Sequence, residues 1–365
     1  MRITLVDPYL GGSHRAWAEG YAAHSRHDVA ILGMPAAFWK WRMQGGWVTL
    51  AEQLLLDVEQ RGAPDLLLAS STTNLPALLG ATRRHLGDPA VVLYMHENQL
   101  TYPLSPLDRE DLTYSMINWT SMTVADLVLF NSEFHRRVWF EALPTFLGRF
   151  PDQRHTHLGA SVADRSEVLA VGVDLARFDR VPRRHRDRPL VLWNQRWEYD
   201  KGPAEFAAAI GAVAEVAAFD LALAGESAGV PLPEFVGLSQ RLGSRIVQEG
   251  PLPDAEYPAM LRSADVVVST ARQEFFGIAV TEAVYAGAFP VLPDRLVYPE
   301  RIPPEFHDVC LWSTSADLES RIHWAVTHRS EAHGIAARLR PTMEAFAWER
   351  MAPLYDERFE ALLST

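Results

Sequence analysis

The feature that most constrains this chain is a regular alternation of short, continuously apolar runs with longer amphipathic stretches. In the first half the apolar runs are residues 2–7, 27–34, 65–70, 90–96, 126–132 and 166–173. In the second half they are residues 189–195, 219–225, 245–250, 265–270, 289–293 and 309–313. Continuous apolar strands separated by helices form parallel sheets covered on both faces, because the crossover helices lie on each side. The sequence therefore predicts two doubly wound α/β domains.

The connections between these runs set the expected domain limits. Helical patterns occupy residues 49–61, 74–86, 108–124 and 133–143. Residues 177–190 are strongly charged and contain two prolines, which indicates a linker with a cleft beside it. We expect Rossmann-like domains at residues 1–178 and 188–344, with ligands at the carboxyl ends of the strands.

Composition narrows the class of protein. The formal net charge of −12 argues against broad, non-specific nucleic-acid binding, but it is compatible with a local basic patch on the first domain. No apolar run approaches the roughly 18 residues that span a bilayer, so we expect no stable membrane association. The single cysteine, Cys310, excludes an internal disulfide and favours a cytoplasmic protein. No Cys/His cluster has zinc spacing.

The first strand is followed by "PYLGGSHRAW", which lacks the G-x-G-x-x-G of dinucleotide-binding folds. The glycine pair predicts a tight turn before a helix. Amides at Gly12 and Ser13 can then face a ligand, or the pair can be a simple turn.

The second domain carries two cations just after its first strand, in "QRWEYDKG". Arg196 and Lys201 are five residues apart, and Lys201 is one of only two lysines in the chain. Two cations there can hold a diphosphate and neutralise the charge of a leaving group. The alternative is a solvated loop in which Glu198 and Asp200 are salt-bridge partners.

The segment "ARQEFFGIAVTEAVYAG", residues 271–287, has a glutamate near each end of an apolar run. We interpret Glu274 as a loop residue above the sheet and Glu282 as part of a helix that ends at Gly287. Gly277 lies near the helix N-terminus, where free amides attract phosphate. The carboxylates can accept hydrogen bonds from sugar and ribose hydroxyls, or be ordinary acids at the ends of a buried helix.

Three first-domain segments suit a second ligand. His96, Glu97, Asn98 and Gln99 follow a strand and can bind hydroxyls or a base edge, or can instead fix a loop. His96 can bond to a sugar or accept a hydroxyl proton. Asn74 is either a ligand-binding residue or a helix N-cap.

Aromatic and basic residues alternate from Trp39 to Arg42. Trp39 and Trp41 can stack on bases while Lys40 and Arg42 contact phosphate, or the tryptophans can pack against the core. A linker cluster (Arg180, Arg183, Arg184, Arg186 and Arg188) is either solvated or lies against an RNA backbone.

These motifs carry a resemblance to a known family. The order R-x4-K-G, then E-x7-E, with "GVDLARF" (172–178) at the junction, resembles retaining GT-B glycosyltransferases of the GT4 class. The resemblance also covers residues 346–363, which are similar to C-terminal helices that return to the first domain, so residues 345–365 are expected there. It implies a nucleotide-sugar donor in the second domain.

The resemblance also implies roles for the second-domain motifs. Glu274 would contact the donor sugar, Glu282 the ribose, and Arg196 with Lys201 the diphosphate. The expected donor-binding set is Gly12, Ser13, Arg196, Lys201, Glu274, Phe276, Gly277, Ile278 and Glu282. The expected catalytic set is His96, Arg196, Lys201 and Glu274.

First-domain segments resemble one subgroup more specifically. "GGSHRAW", "HENQLTYP", "FNSEFH" and "QRWEYDKGPAEF" are similar to the subgroup of tRNA-queuosine α-mannosyltransferases. This resemblance implies mannosyl transfer from GDP-mannose to queuosine in tRNA, with tRNA-Asp as the expected acceptor. The expected acceptor-binding residues are His14, Trp39, Lys40, Trp41, Arg42, Asn74, Glu97, Asn98 and Gln99.

The resemblance implies retention by same-face attack, without a metal or another cofactor, and the chain has no Asp-x-Asp motif of the metal-dependent class. Two alternatives stay open. One is a GT4 hexosyltransferase with another modified nucleoside, a small molecule or a lipid as acceptor. The other is a non-catalytic protein that binds a sugar nucleotide or RNA.

Overall fold

A computed structural model describes residues 1–103, 109–226 and 232–364. Two compact units are present: unit 1 comprises Met1–Val173 with Trp348–Thr365, and unit 2 comprises Asp174–Ala347. No helix in the described ranges has the length and apolar character that a bilayer-crossing segment requires.

Twelve strands and sixteen α-helices were assigned in the described residues. The strands are β1 (Arg2–Leu10), β2 (Asp28–Pro35), β3 (Leu66–Ser70), β4 (Ala90–Met95), β5 (Leu127–Phe130), β6 (Ser166–Val168), β7 (Leu190–Trp193), β8 (Asp220–Leu223), β9 (Ile246–Glu249), β10 (Val266–Val268), β11 (Phe289–Pro293) and β12 (Leu311–Trp312). The helices are α1 (Gly12–His24), α2 (Trp39–Arg61), α3 (Leu75–Leu86), α4 (Leu112–Val124), α5 (Glu133–Leu147), α6 (Leu158–Asp164), α7 (Ala176–Asp179), α8 (Pro203–Val213), α9 (Pro233–Leu242), α10 (Tyr257–Ser263), α11 (Ile278–Ala286), α12 (Tyr298–Arg301), α13 (His307–Cys310), α14 (Ser315–Thr327), α15 (Arg329–Met343) and α16 (Trp348–Leu363). Short 3-10 helices lie at Tyr199–Lys201, Gly243–Arg245, Pro304–Phe306 and Glu344–Phe346.

Each unit contains one parallel six-stranded sheet. The order in unit 1 is β2-β1-β3-β4-β5-β6, and the order in unit 2 is β12-β11-β10-β7-β8-β9. The predicted doubly wound α/β architecture is confirmed in both units. The order reverses once in each sheet, between β1 and β3 in unit 1 and between β7 and β10 in unit 2.

The strands form where the sequence is apolar on both faces. β3, β5, β7, β8 and β10 are buried along their whole lengths. Burying one large aliphatic side chain contributes about 1.5–3 kcal/mol, so continuous apolar runs are stable only inside a covered sheet. β6 stops at Val168, five residues before the predicted end, because it is an edge strand that pairs only with β5.

Two helix starts differ from their predictions by more than one residue, and α5 ends at Leu147, four residues after its predicted end at residue 143. α2 begins at Trp39, ten residues before the predicted start at residue 49, so the aromatic and basic run from Trp39 to Arg42 forms its first turn. α4 begins at Leu112, and part of the predicted start of this helix lies outside the described residues. The apolar periodicity of these segments is weak near their N-termini, which is why the sequence placed the boundaries wrongly.

The expected return of the C-terminus to the first unit is confirmed by α16. The Trp348 ring is buried against Gly20 of α1 and against Gly172, where a β-carbon would lie 2.0 and 2.3 Å from it. Asp356 accepts hydrogen bonds from Tyr21 Oη at 2.8 Å and from Ser25 Oγ at 2.6 Å. Glycine is therefore needed at both positions for α16 to dock.

The basic segment before β7 is neither a purely solvated linker nor an open phosphate-binding surface. Arg183 donates to Gly287 O at 2.9 Å and pairs with Asp265 at 3.3 Å. Arg186 and Arg188 pair with Asp220 at 3.1 and 2.7 Å. These three side chains fasten the segment to unit 2, while Arg180 and Arg184 are exposed.

Candidate active site

The expected donor-binding residues of unit 2 collect where its strand order reverses, between β7 and β10. Ligands of doubly wound sheets bind at this point, because the loops after the two strands diverge and leave a crevice. The floor is polar and interlocked. Ser269 Oγ accepts from Gln195 Nε2 at 2.8 Å and shares a 2.7 Å hydrogen bond with Tyr298 Oη. Gln195 follows β7 and Ser269 follows β10, so this contact joins the two strand ends.

The turn at Lys201 and Gly202 is held tightly on the end of β10. Thr270 Oγ1 donates to Lys201 O at 2.8 Å and to Gly202 O at 3.0 Å. Gly202 has a φ of +64°, and a β-carbon there would lie 2.4 Å from Thr270 O. Only glycine allows this approach, which explains the Lys-Gly order in the sequence.

Lys201 lies between two carboxylates. Its Nζ is 3.4 Å from Glu274 Oε2, 3.4 Å from Asp200 Oδ2, and 2.9 Å from Gln273 O, to which it donates. Burial lowers the pKa of the Lys201 ammonium, but Glu274 and Asp200 outweigh burial and raise the pKa above its ordinary value. The site therefore holds a permanently charged, buried ammonium.

Glu274 is bound at both oxygens. Oε2 faces Lys201, and Oε1 accepts from the Gly277 amide at 3.0 Å. Gly277 has a φ of +85° and is the N-cap of α11, close to the helix N-terminus as expected, but its amide is engaged by Glu274 and is not open to phosphate. Ile278, the first residue of α11, still presents an amide without an intrahelical partner.

Glu282 lies in the second turn of α11 and is buried. Its Oε1 is 2.5 Å from Arg177 Nη2, and its Oε2 accepts from Tyr257 Oη at 2.8 Å. Burial raises the pKa of Glu282 above its usual value, although Arg177 and Tyr257 oppose that shift. Asn194 Nδ2 donates to Tyr257 Oη at 3.1 Å and so connects this group to the end of β7.

Two further donor-set residues, Arg196 and Phe276, differ in exposure. Arg196 is half exposed and pairs with Glu198 at 3.2 Å. Phe276 is buried beneath the Arg301 guanidinium, whose carbon lies 4.1 Å from the ring centroid, so its side chain is structural. The structure thus groups Lys201, Glu274 and Glu282 and leaves Arg196 as a partly solvated cation nearby in sequence.

In unit 1 a second group follows β1, β3 and β4. Asp7, at the C-terminal part of β1, accepts from His14 Nδ1 at 2.7 Å, from the Tyr9 amide at 2.8 Å and from Thr72 Oγ1 at 3.1 Å. Burial raises the pKa of Asp7, but the His14 imidazole and these hydrogen bonds outweigh it and lower the pKa below its usual range. Asp7 therefore stays a carboxylate and holds the Nδ1–H tautomer of His14.

His96 stands beside this pair in an aromatic enclosure. Its ring centroid is 4.2 Å from His14, 4.5 Å from Trp17 and 4.7 Å from Tyr94. Its Nε2 is buried and has no hydrogen-bond partner among the described residues. Burial lowers the pKa of His96 well below its usual value, and His14 and His135 lower it further, so the imidazole is neutral.

The "FNSEFH" segment supports His96 from below. Asn131 Nδ2 donates to His96 O at 2.8 Å, and Asn131 Oδ1 accepts from His135 Nδ1 at 2.9 Å. Ser132 caps α5 by accepting from the His135 amide at 3.0 Å. Burial lowers the pKa of His135 to about 3.

The rest of the "HENQ" segment divides between two roles. Asn98 is fully buried, and its Oδ1 accepts from the Leu100 amide at 3.0 Å and the Thr101 amide at 2.8 Å. Asn98 Oδ1 therefore fixes the loop, one of its two expected roles, and contact of Asn98 with an acceptor stays a prediction. Glu97 and Gln99 are partly exposed and hydrogen-bonded to each other at 3.2 Å, so they can still receive one.

Other residues of the expected acceptor-binding set also lie in different environments. Asn74 Oδ1 caps α3 by accepting from the Ala77 amide at 3.4 Å, the second of its two expected roles. The Trp39 ring packs on Tyr114 at 4.9 Å, whereas Trp41 is 61% exposed. Gly12 has a φ of +51° with open space beside it, and Gly12 and Ser13 are exposed at the start of α1.

Sequence reasoning missed Asp7, Tyr257, Arg177 and Asn131. Asp7 had a signal, since a carboxylate that ends a buried strand just before "GGSH" needs a partner. Tyr257 had none, since it is 25 residues from Glu282 in the chain, whereas Arg177 lies in the quoted motif "GVDLARF" but is 105 residues from Glu282.

Comparison with solved structures shows what this architecture is. Sucrose-phosphate synthase of Thermosynechococcus elongatus superimposes with a TM-score of 0.73 at 18% identity, covering 100% of this chain and 99% of that one. The catalytic domain of starch synthase IV of Arabidopsis thaliana gives 0.72 at 14% identity, covering 100% of both chains. The fold is that of the GT-B glycosyltransferases.

Sequence comparison identifies the family within that class. Residues 2–173 match the family described as tRNA-queuosine alpha-mannosyltransferase N-terminal, and residues 176–338 match glycosyl transferases group 1. A tRNA-queuosine alpha-mannosyltransferase of Drosophila melanogaster is 32% identical over 335 residues, 88% of this chain and 86% of that protein. The chain belongs to the tRNA-queuosine alpha-mannosyltransferase family.

Proposed function

We propose that this protein transfers a mannosyl group from GDP-mannose to queuosine in tRNA, with retention of anomeric configuration. The observation that carries the proposal is the contact between Lys201 and Glu274 at the point where the strand order of unit 2 reverses. A buried ammonium beside a carboxylate suits a sugar diphosphate, because it places positive charge for the leaving group next to an acceptor for sugar hydroxyls. Family membership supports the mannosyl group and the queuosine acceptor.

The donor residues have separate roles in this proposal. Lys201 and Arg196 neutralise the departing diphosphate, and the Ile278 amide at the start of α11 adds a donor. Glu274 accepts hydrogen bonds from the hexose hydroxyls, and Glu282 from the ribose hydroxyls through oxygens that Arg177 and Tyr257 already orient. Because Glu282 is almost fully buried, the ribose hydroxyls of the donor can bind it only through a close, specific contact.

The transfer step follows a same-face course. The bond between the anomeric carbon and the diphosphate oxygen breaks while the acceptor hydroxyl attacks from the side of the leaving group. The hydroxyl proton passes to a phosphate oxygen, and the sugar is oxocarbenium-like at the transition state. His14 and neutral His96 orient the acceptor hydroxyl, because Asp7 fixes the position of the His14 ring through Nδ1.

The proposed reaction is metal-independent and uses no other cofactor. Asp7, His14 and His96 do place one possible ligand atom each within 4.8 Å of one another. Both oxygens of Asp7, however, already accept hydrogen bonds from His14, Tyr9 and Thr72. We therefore interpret the group as a hydrogen-bonded Asp–His pair. The proposed reaction takes place in the cytoplasm. Transfer should be unchanged by EDTA, and loss of activity with EDTA that Mg²⁺ or Mn²⁺ restores would contradict this.

One experiment tests the function. The protein is incubated with queuosine-containing tRNA and either GDP-mannose or UDP-hexoses, and the digested nucleosides are analysed by mass spectrometry. A mass gain of one hexose on queuosine with GDP-mannose alone is expected. A gain only with a UDP-sugar would overturn the donor, and no gain on queuosine with any donor would overturn the acceptor.

A further inference from the structure

The N-terminus of α2 presents a large aromatic side chain in a strained backbone conformation. Phe38, which precedes the helix, is 81% exposed and has a φ of +52° and a ψ of +54°. Left-handed backbone costs energy for a bulky L-residue, and asparagine or glycine adopts it more readily. Because Phe38 is so exposed, its side chain returns little packing energy to the fold. An exposed residue whose backbone strain is not offset by packing indicates that its side chain contacts a binding partner.

Trp41 extends this surface over a glycine. Its six-membered ring lies over Gly45 one turn later, where a β-carbon would sit 3.0 Å from the ring. Its neighbour Trp39 is half-buried on Tyr114 and anchors the helix start. The exposed Trp41 ring is therefore set in place by the helix surface beneath it. We call Phe38 and Trp41 the aromatic platform.

Exposed cations lie in the segments next to the aromatic platform. Lys40 lies between its two members in sequence and is exposed, with Nζ 5.5 Å from the Trp39 ring centroid. Arg15 is also exposed and donates to Leu10 O at 3.4 Å, and Leu10 pairs with Pro35 just before the platform. Asp111 interacts with Lys40: hydrogen bonds from Thr113 lower the pKa of Asp111, and the charge of Lys40 lowers it further.

The platform adjoins the Asp7–His14 group within unit 1. A β-carbon on Gly11, three residues before His14, would lie 2.4 Å from the β-carbon of Ala36, two residues before Phe38. The turn that carries His14 and the segment that carries Phe38 are therefore in direct contact. A ligand that reaches His14 passes close to the platform.

We propose that Phe38 and Trp41 stack on unpaired bases next to the modified nucleoside of the RNA acceptor, which rests on the proposed function. Stacking fits these observations because it needs separate exposed ring faces with cations beside them, and every base has a face to offer. A protein partner would need a wider continuous apolar surface. Lys40 and Arg15 contact the RNA backbone around the stacked bases.

The test uses a substitution that separates binding from folding. Phe38→Asn relieves the backbone strain, so the melting temperature should rise while the Kd for queuosine-containing tRNA increases about tenfold, within the range for loss of one stacked base. Trp41→Ala should weaken tRNA binding by a similar factor. Gly45→Ala keeps both aromatic side chains, but its new methyl group shifts the Trp41 ring by a few tenths of an ångström, so it should weaken tRNA binding by less than Trp41→Ala does.

The matched control is Leu56→Ala, which removes a 55% exposed apolar side chain from the same helix. Its tRNA affinity should equal that of the wild type, and all four variants should keep wild-type affinity for GDP-mannose. If Phe38→Asn and Trp41→Ala bind queuosine-containing tRNA as tightly as Leu56→Ala does, the platform is wrong while the proposed function stands. If the wild type neither binds nor modifies that tRNA, both fall.

Discussion

The ammonium of Lys201 and the carboxylate of Glu274 lie 3.4 Å apart, although they come from different loops and are 73 residues apart in the chain. Each needs the other, because Lys201 is buried and Glu274 is only partly exposed. The pair joins the loop after β7 to the loop after β10. It links the two motifs that the sequence presented separately.

Replacing Lys201 by alanine should reduce the transfer rate by about 100-fold or more, the usual loss when one preorganised charge at a leaving group is removed. Single-turnover transfer with saturating donor measures this effect. Arg241→Ala is the control, since Arg241 pairs with Glu215 on the surface of unit 2. A Lys201→Ala rate within threefold of the control would contradict the assignment.

Alanine substitutions of Glu274 and Glu282 should affect different steps, transfer and donor binding. Glu274→Ala should abolish transfer, because the proposed function assigns its carboxylate to the reacting sugar and because it pairs with Lys201. Glu282→Ala should chiefly raise the donor Kd, because the proposed function assigns its carboxylate, which Arg177 and Tyr257 hold in position, to the ribose hydroxyls. Calorimetric donor titration and kcat measured on the same preparations separate the two effects. Normal transfer and normal donor affinity in both variants would show that this interpretation of the motif is wrong.

Asp7→Asn should lower kcat by about 10- to 1,000-fold with little change in the donor Kd. Both oxygens of Asp7 accept hydrogen bonds, so an amide must turn a donor toward either His14 or the Tyr9 amide. His14 then loses its fixed tautomer. Circular dichroism checks that unit 1 is folded, and a folded variant with wild-type kcat would refute the positioning role of Asp7.

Acid should destabilise unit 1 through His135. The pKa of His135 is about 3 in the folded chain and about 6.5 when unfolded, so only the unfolded state binds the proton between these values. The contribution of His135 to the free energy of unfolding is therefore fully present above pH 6.5. It falls on acidification by about 1.4 kcal/mol per pH unit. The free energy of unfolding can be measured by urea titration at several pH values from 7 to 4.5. Its slope against pH should be shallower for His135→Asn than for the wild type. The exposed His157→Asn should leave the slope unchanged, and equal slopes in all three proteins would exclude His135.

Gly202→Ala should lower the free energy of unfolding by at least about 2 kcal/mol. The new β-carbon would meet Thr270 O at 2.4 Å in a left-handed backbone. Gly237→Ala is the matched control in the exposed interior of α9, where a β-carbon meets nothing within 4 Å. That substitution should stabilise by about 0.5–1 kcal/mol. Denaturant titration distinguishes the two, and similar values for both would contradict the close approach at Gly202.

The sequence alone was enough to predict the strands and the strand ends at which the polar motifs lie. All twelve predicted strands form, and α11 runs from just after Gly277 to the C-cap Gly287, as expected. Burial of apolar side chains and the conformational freedom of glycine are local properties, so they can be read directly from order along the chain. For the same reason, motifs that follow strands could be placed at the edges of sheets.

Which side chains meet was decided only by the tertiary structure. Asn98 and Asn74 have the residue types of ligand-binding groups. Asn98 instead fixes a loop and Asn74 caps a helix, because backbone amides lie within hydrogen-bonding distance of their side-chain oxygens. Glu282 acquires Arg177 and Tyr257 from distant segments, and His14 acquires Asp7 across a turn. Hydrogen bonds and ion pairs depend on distances of about 3 Å, which sequence separation does not determine.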